Sequence, residues 1–192
     1  MMNIRSTELK ELPLVMEIYD CARAFMRATG NTTQWVNGYP SGAFIRQEIE
    51  EGHSFVCADE QGVISGTFCF ILGDDPTYQH IYEGAWLNDE PYGVVHRLAT
   101  NGIRKGVAAA CLDWCFQRMP NVRVDTHRDN KVMQHILEKH GFQRCGIIYV
   151  KDGTERIAYQ KIHCLINSVL FFWLSLVHFC TDMSQVFSFI KI

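Results

Sequence analysis

From about Leu12 onward, apolar residues recur on a helical period, with Leu12, Val15, Met16, Tyr19, Ala22 and Met26 on one face. Pro13 suits the first turn of that helix, where its missing N–H has no partner to lose, and Gly30-Asn31 stops it. Ser41 reads as the N-cap of a second helix ending near Gly52. Runs with strand character follow: Ser54 to Ala58, Val63 to Leu72 across a Gln61-Gly62 turn, an extended Tyr78 to Trp86, and Gly93 to Thr100 as a central strand. Asn3 to Ser6 is short enough to be an edge strand. The clearest helix places Val107, Ala110, Cys111, Trp114 and Cys115 on one face and closes at Pro120. Val122 to Thr126 is the next strand. Asp129 or Asn130 then caps a helix with Met133, Ile136 and Leu137 inward, and Gly141 stands at its left-handed end. Phe142 to Val150 and Arg156 to Lys161 form a hairpin. This order predicts an α/β (α+β) domain with helices packed on a sheet.

The composition adds a seam to this pattern. The chain has 192 residues, a hydrophobic fraction of 47% and a formal charge of -3, so it is globular and has no global electrostatic reason to bind nucleic acid. Its last 30 residues, His163 to Ile192, hold only two charges, Asp182 and Lys191. The expected organisation is therefore a domain over 1–162 and an apolar C-terminal extension over 163–192. Cys164 to Cys180 runs 17 residues without Asp, Glu, Lys or Arg, at the lower limit of a membrane span. Three readings stay open for this extension: a membrane anchor, an element packed on its own domain or on the twin subunit of a homodimer, and a non-native extension.

The eight cysteines, Cys21, Cys57, Cys69, Cys111, Cys115, Cys145, Cys164 and Cys180, show no CxxC pair. Met-Met-Asn-Ile-Arg at the N-terminus lacks an apolar signal stretch, so a cytoplasmic protein with free thiols is expected. No recurring pair of ligand residues has zinc spacing, and no metal is expected.

The segment richest in chemistry runs from strand through loop into helix: Leu98-Ala99-Thr100-Asn101-Gly102-Ile103-Arg104-Lys105-Gly106-Val107-Ala108. Small residues permit close backbone approach, and a helix start with Arg104 and Lys105 beside it favours an anion such as a phosphate. A small-residue helix packed tightly on a sheet is the alternative. The loop is neither a P-loop nor GxGxxG. Taken with the following strand, the Asn130-capped helix and Gly141-Phe142, it resembles the acetyl-CoA-binding half of the GNAT N-acetyltransferase superfamily, best over Gly93 to Lys161. Gly106 and Ala108 match the family's pyrophosphate loop, Gln/Arg-x-x-Gly-x-Gly/Ala, and Ile103 stands where Gln or Arg is usual. Leu137 occupies the position of the family's frequent acidic Tyr.

The resemblance implies a mixed, mostly antiparallel central sheet flanked by helices, with acetyl-CoA as co-substrate and an amine acceptor. It implies cofactor contacts from Leu98, Ala99, Ile103, Arg104, Lys105, Gly106, Val107, Ala108 and Asn130. Amine acetylation needs a base, since an alkylamine has a pKa of about 10. His96 is the first candidate, two residues before Leu98 and thus expected on the same strand face. Glu83 on the extended segment is the second. His127, with Asp125 to orient it, is the third. Each has a bland alternative as a packed or solvated side chain. Trp35, Tyr39 and Trp86, with Tyr92, are aromatics outside the helices and candidates for acceptor contact. Asp74, Asp75, Asp89 and Glu90 hint at a cationic acceptor. A small amino compound is the first choice of acceptor. A protein N-terminus or lysine, and a non-catalytic acyl-CoA sensor, are the alternatives.

Overall fold

Seven strands and four helices appear in a computed structural model that describes residues 2–163. In chain order they are β1 (Asn3–Ser6), α1 (Leu12–Ala28), α2 (Gly42–Glu50), β2 (Ser54–Ala58), β3 (Ile64–Leu72), β4 (Gly93–Thr100), α3 (Val107–Arg118), β5 (Asn121–Thr126), α4 (Lys131–Lys139), β6 (Gln143–Tyr149) and β7 (Glu155–Ile162). They form one sheet in the order β1-β2-β3-β4-β5-β7-β6. The β4–β5 pair is parallel, and the remaining neighbours run antiparallel. The readings placed on 164–192 lie outside the described residues. Among the described residues, no helix is long and apolar enough to cross a membrane.

Local signals explain most boundaries. Ser41 Oγ accepts the Phe44 N–H at 3.2 Å, and Asn130 Oδ1 accepts the Met133 N–H at 3.1 Å, so both caps close their first turns. Gly141 leaves α4 with φ 79°, the left-handed exit that costs a glycine no steric penalty. The core divides by strand parity. Val95, Val122, Val124, Cys57 and Phe68 pack with Val107, Cys111, Leu112 and Cys115 of α3 on one face. On the other, Val15, Ile18 and Tyr19 of α1 pack against Val56 and Ala99, while Tyr78, Tyr92 and Val94 form a further cluster.

The extended element expected over Tyr78 to Trp86 is not a strand. Pro76–Tyr78 forms a 3-10 turn, and the segment then makes an isolated bridge, Tyr82 to Ile147, with the Ala85 N–H donating to the Cys145 carbonyl at 3.0 Å. Asp75 accepts the Thr77 N–H at 2.8 Å and starts the turn. Farther on, Gly84 lies so close to the Cys145 carbonyl that a side chain there has no room. Among the described residues the sheet therefore has seven strands where the sequence pattern suggested eight.

One irregularity sets up the site. Thr67 faces Ala99 and Cys69 faces His96, so Arg97 and Leu98 together oppose Phe68 alone. This bulge puts Arg97 in the left-handed region at φ 55°, uncommon for a residue with a side chain. It also breaks the alternation assumed from sequence. Leu98 packs on the α3 face with Val95, while His96 meets the Tyr78 ring, edge to face at 5.8 Å, on the opposite face. His96 and Leu98 therefore do not share a face.

Candidate active site

β4 and β5 pair only through Gly93, Val94 and Val95 against Val122, Arg123 and Val124. Beyond Val95 the two parallel strands part, and a cleft of about 680 Å³ opens at the split. That volume lies within the range of small-molecule sites, roughly 300–1,000 Å³. His96, Leu98, Asp125, Thr126 and Asn130 line it, with Trp35 and Tyr39 from the α1–α2 loop.

A network organises the floor. The His96 imidazole is 15% exposed, and its Nε2 lies 2.8 Å from Asp75 Oδ2. Its Nδ1 faces Asp125 Oδ1 at 3.9 Å. Tyr78 donates its hydroxyl to that same Asp125 oxygen at 2.7 Å. Burial works against ionisation of Asp75, but the His96 and Thr77 hydrogen bonds outweigh it and hold the carboxyl well below the usual carboxylate range. Burial pushes the Tyr78 phenol far up, and the Asp125 charge adds to this, so Tyr78 stays a neutral donor. With Asp75 ionised, its carboxylate accepts in the shared bond, so His96 Nε2 is the donor there. Asp75 was legible only as one of four scattered acids, and of those it alone reaches the cleft.

The other base candidates sit differently. Glu83 is exposed at φ 55°, beyond the β6 edge and three strands from β4. The bridge at Tyr82 carries it there, so it does not meet His96. Burial, with Arg156 second, holds the His127 imidazole below its ordinary value. His127 Nδ1 accepts the Asp129 N–H at 3.2 Å, and Nε2 faces Thr33 Oγ1 at 3.3 Å. Its ring nitrogens thus serve a turn and a loop contact. Cys69 is the register partner of His96 on β3, and burial pushes its thiol up to about 12, which keeps it protonated.

Of the aromatic candidates, Trp35 and Tyr39 line the cleft and Trp86 does not. Trp86 stacks flat on Tyr78 at 5.5 Å and donates its indole N–H to the Tyr78 carbonyl at 3.0 Å. Its place is behind Tyr78, as support. Tyr92 is also buried, beneath the Arg123 guanidinium.

The phosphate-loop candidates gather where β4 turns into α3. Gly106 precedes the helix at φ 79° and offers no side-chain cap to the first-turn N–H groups of α3. Gly66 on β3 brings the helix close, because a side chain there would collide with Val107 Cγ1. Val107 is 2% exposed and Ala99 3%, so each offers a ligand only its backbone. Arg104 pairs with Asp59 at 3.5 Å, and Lys105 and Ala108 lie alongside. Ile103 points its side chain into solvent, with its N–H already bonded to Asn101 Oδ1 at 3.2 Å. Asn130 has two duties: it caps α4 and donates Nδ2 to Gln34 Oε1 at 3.2 Å. Leu137 is fully buried in the α3-side core.

A solved acetyltransferase of the GNAT family from Streptococcus agalactiae shares 36% identity with this chain. The match covers 85% of this chain and 96% of that one, with a TM-score of 0.78. The chain belongs to the GNAT family of acetyltransferases. Two more distant GNAT structures share the fold: one from Listeria monocytogenes at 18% identity, over 83% and 94% of the two chains, with a TM-score of 0.63; and one from Bacillus cereus at 19%, over 85% and 99%, with a TM-score of 0.55. No protein-family model matches the chain, and neither does any curated protein. The cleft at the parting of the two parallel strands thus carries Asp75, His96 and Asp125, with Arg156 Nε 3.8 Å from Asp125 Oδ2, while the 103–108 loop and the start of α3 are not among its lining.

Proposed function

We propose that residues 1–162 transfer an acetyl group from acetyl-CoA directly to the amine nitrogen of a small molecule. The observation that carries this reading is the pairing of His96 with Asp75 at 2.8 Å inside the β4–β5 split. Acetyl-CoA supplies the electrophilic thioester carbonyl. The first-turn N–H groups of α3 and the loop 103–108 receive its phosphates, and Asn130 and the released edge of β4 at Leu98 and Ala99 receive the arm between. Asp125 and Asp75 attract the acceptor as an ammonium ion. His96 Nδ1 takes the proton that must leave before nitrogen can attack, while Asp75 holds the ring through Nε2. Backbone N–H groups of β4 past Val95, free of any β5 partner, stabilise the negative charge that develops on the carbonyl oxygen; its collapse breaks the C–S bond, and the departing CoA thiolate takes up the proton held on His96, leaving as free thiol.

A small acceptor fits better than a peptide. Thr33 reaches His127 and Gln34 reaches Asn130, so the α1–α2 loop closes one side of the cleft. The buried Leu137 favours a second reading, an acyl-CoA sensor without turnover, because the family's usual acid is missing. Calorimetry with acetyl-CoA and release of free CoA thiol across an amine panel separate the two. Binding with amine-dependent release is expected. Binding without release supports the sensor, and absence of binding contradicts both.

A further inference from the structure

Arg97 is the residue on which the two-faced arrangement of β4 turns. It sits at the bulge with φ 55°, between His96 on the acceptor face and Leu98 on the carrier face. Its guanidinium does not enter the acid network. Nε donates to Tyr39 Oη at 2.8 Å, Nη1 donates to Glu48 Oε1 at 3.3 Å, and Cζ lies 4.2 Å from the Phe44 ring centre. All three partners come from Tyr39–Glu48, the end of the α1–α2 loop and helix α2. The two side chains are mostly buried, at 15% exposure for Arg97 and 8% for Glu48. Burial works against the Arg97 charge, but the Tyr39 hydrogen bond and the Glu48 carboxylate act the other way, and the guanidinium stays charged.

We infer that Arg97 is a positioning residue: through Tyr39, Phe44 and Glu48 it holds the β4 bulge, and so sets the backbone N–H groups of 97–99 against the acceptor loop. The inference rests on the acetyl-transfer reading and adds to it a link between the loop that meets the acceptor and the strand that meets the carbonyl. Arg matters here for its planar fork, which bonds two partners in different directions while stacking on a ring; a lysine has no such fork.

The test compares Arg97→Ala, Arg97→Lys, Tyr39→Phe and Glu48→Gln. Arg97→Ala is expected to lower kcat about 30-fold, in keeping with the cost of sub-ångström misplacement, while the acetyl-CoA Kd by calorimetry stays within about twofold. Arg97→Lys should recover only a small part, and Tyr39→Phe should lose several-fold. The Tyr39→Phe loss should vanish in an Arg97→Ala background, because the two act through one contact. Amide chemical shifts of Leu98 and Ala99 in the free protein supply a readout independent of turnover, and should move in Arg97→Lys and Tyr39→Phe. If kcat per active molecule holds while only melting temperature falls, or if those amide shifts stay in place, the inference is overturned. If Arg97→Ala does not fold, Tyr39→Phe and Glu48→Gln decide it by the same two readouts. Failure of the wild type to bind acetyl-CoA would instead remove the acetyl-transfer reading, and the amide shifts would still judge the clamp.

Discussion

The two halves of β4 share β3 as a neighbour and differ at β5. From Gly93 to Val95 the strand is paired on both edges, to β3 and to β5, and its side chains are buried. From His96 to Thr100 it keeps β3, loses β5, takes in one extra residue and carries a left-handed arginine. The first half builds a core. In the second, backbone groups are set free and a histidine is aimed at two carboxylates. The difference shows how a parallel pair opens a cleft: pairing stops short, and the backbone beyond Val95 is left without a β5 partner.

The largest way to break this contrast is at the acid that holds His96. Asp75→Asn keeps the shape and removes the charge, and kcat should fall about 10- to 100-fold, as for loss of an orienting partner to a general base. The same change should cost about 2 kcal/mol, typical of a hydrogen bond to a charged group. Its pH dependence has a fixed sign. The folded carboxyl lies below its unfolded value of about 3.9, so the contribution is complete above that value and is lost as pH falls through the lower folded one. The gap in melting temperature between wild type and Asp75→Asn should therefore be full at pH 5 to 7 and close on acidification below about 3.9. A gap that stays constant down to pH 2.5 would contradict the assignment.

Next comes the junction of β3 and α3. Gly66→Ala sets a methyl against Val107 Cγ1 and, 3.1 Å away, against the Ala99 carbonyl. Overpacking of this kind costs about 1–3 kcal/mol, and it should also weaken acetyl-CoA binding, since it shifts the start of α3. Calorimetry on the folded variant reads the second effect. A smaller change follows from Gln34→Ala. It frees the Asn130 Nδ2 from its 3.2 Å bond and should tighten acetyl-CoA about twofold, within the few tenths of a kcal/mol left when one hydrogen bond is exchanged for another. Smallest of all, Glu83→Ala should leave kcat and KM unchanged, because the Tyr82 bridge holds it beyond β6. A drop in kcat there would mean that the paired edge, and not the free half of β4, holds the base.

Much of this was legible in residue order. Helix periods, the Ser41 and Asn130 caps and the left-handed Gly141 are local signals, and the structure keeps them. The family followed from Gly106, Ala108 and Asn130 in their setting. What escaped was non-local or arose from a break in a rule. Period-two counting put His96 and Leu98 together, and one extra residue, invisible without the β3 register, separated them. Tyr78 to Trp86 has the apolar content of a strand, but Asp75, Pro76 and Gly84 turn it into a turn and a bridge. Trp86 looked free for a ligand because nothing in sequence says that Tyr78, eight residues earlier, lies flat against it. Asp75 lies 21 residues from His96 and is joined to it only by the fold.

On the proposed reading, His96, held by Asp75, takes the proton of an amine that receives acetyl in the free half of β4. Free CoA thiol release from acetyl-CoA, measured on the best amine of a panel for wild type and for His96→Gln, tests it most directly. Amine-dependent release by the wild type is expected, with a fall in kcat of about 10²- to 10³-fold in the variant and the acetyl-CoA Kd preserved. Equal rates in the two proteins would contradict it.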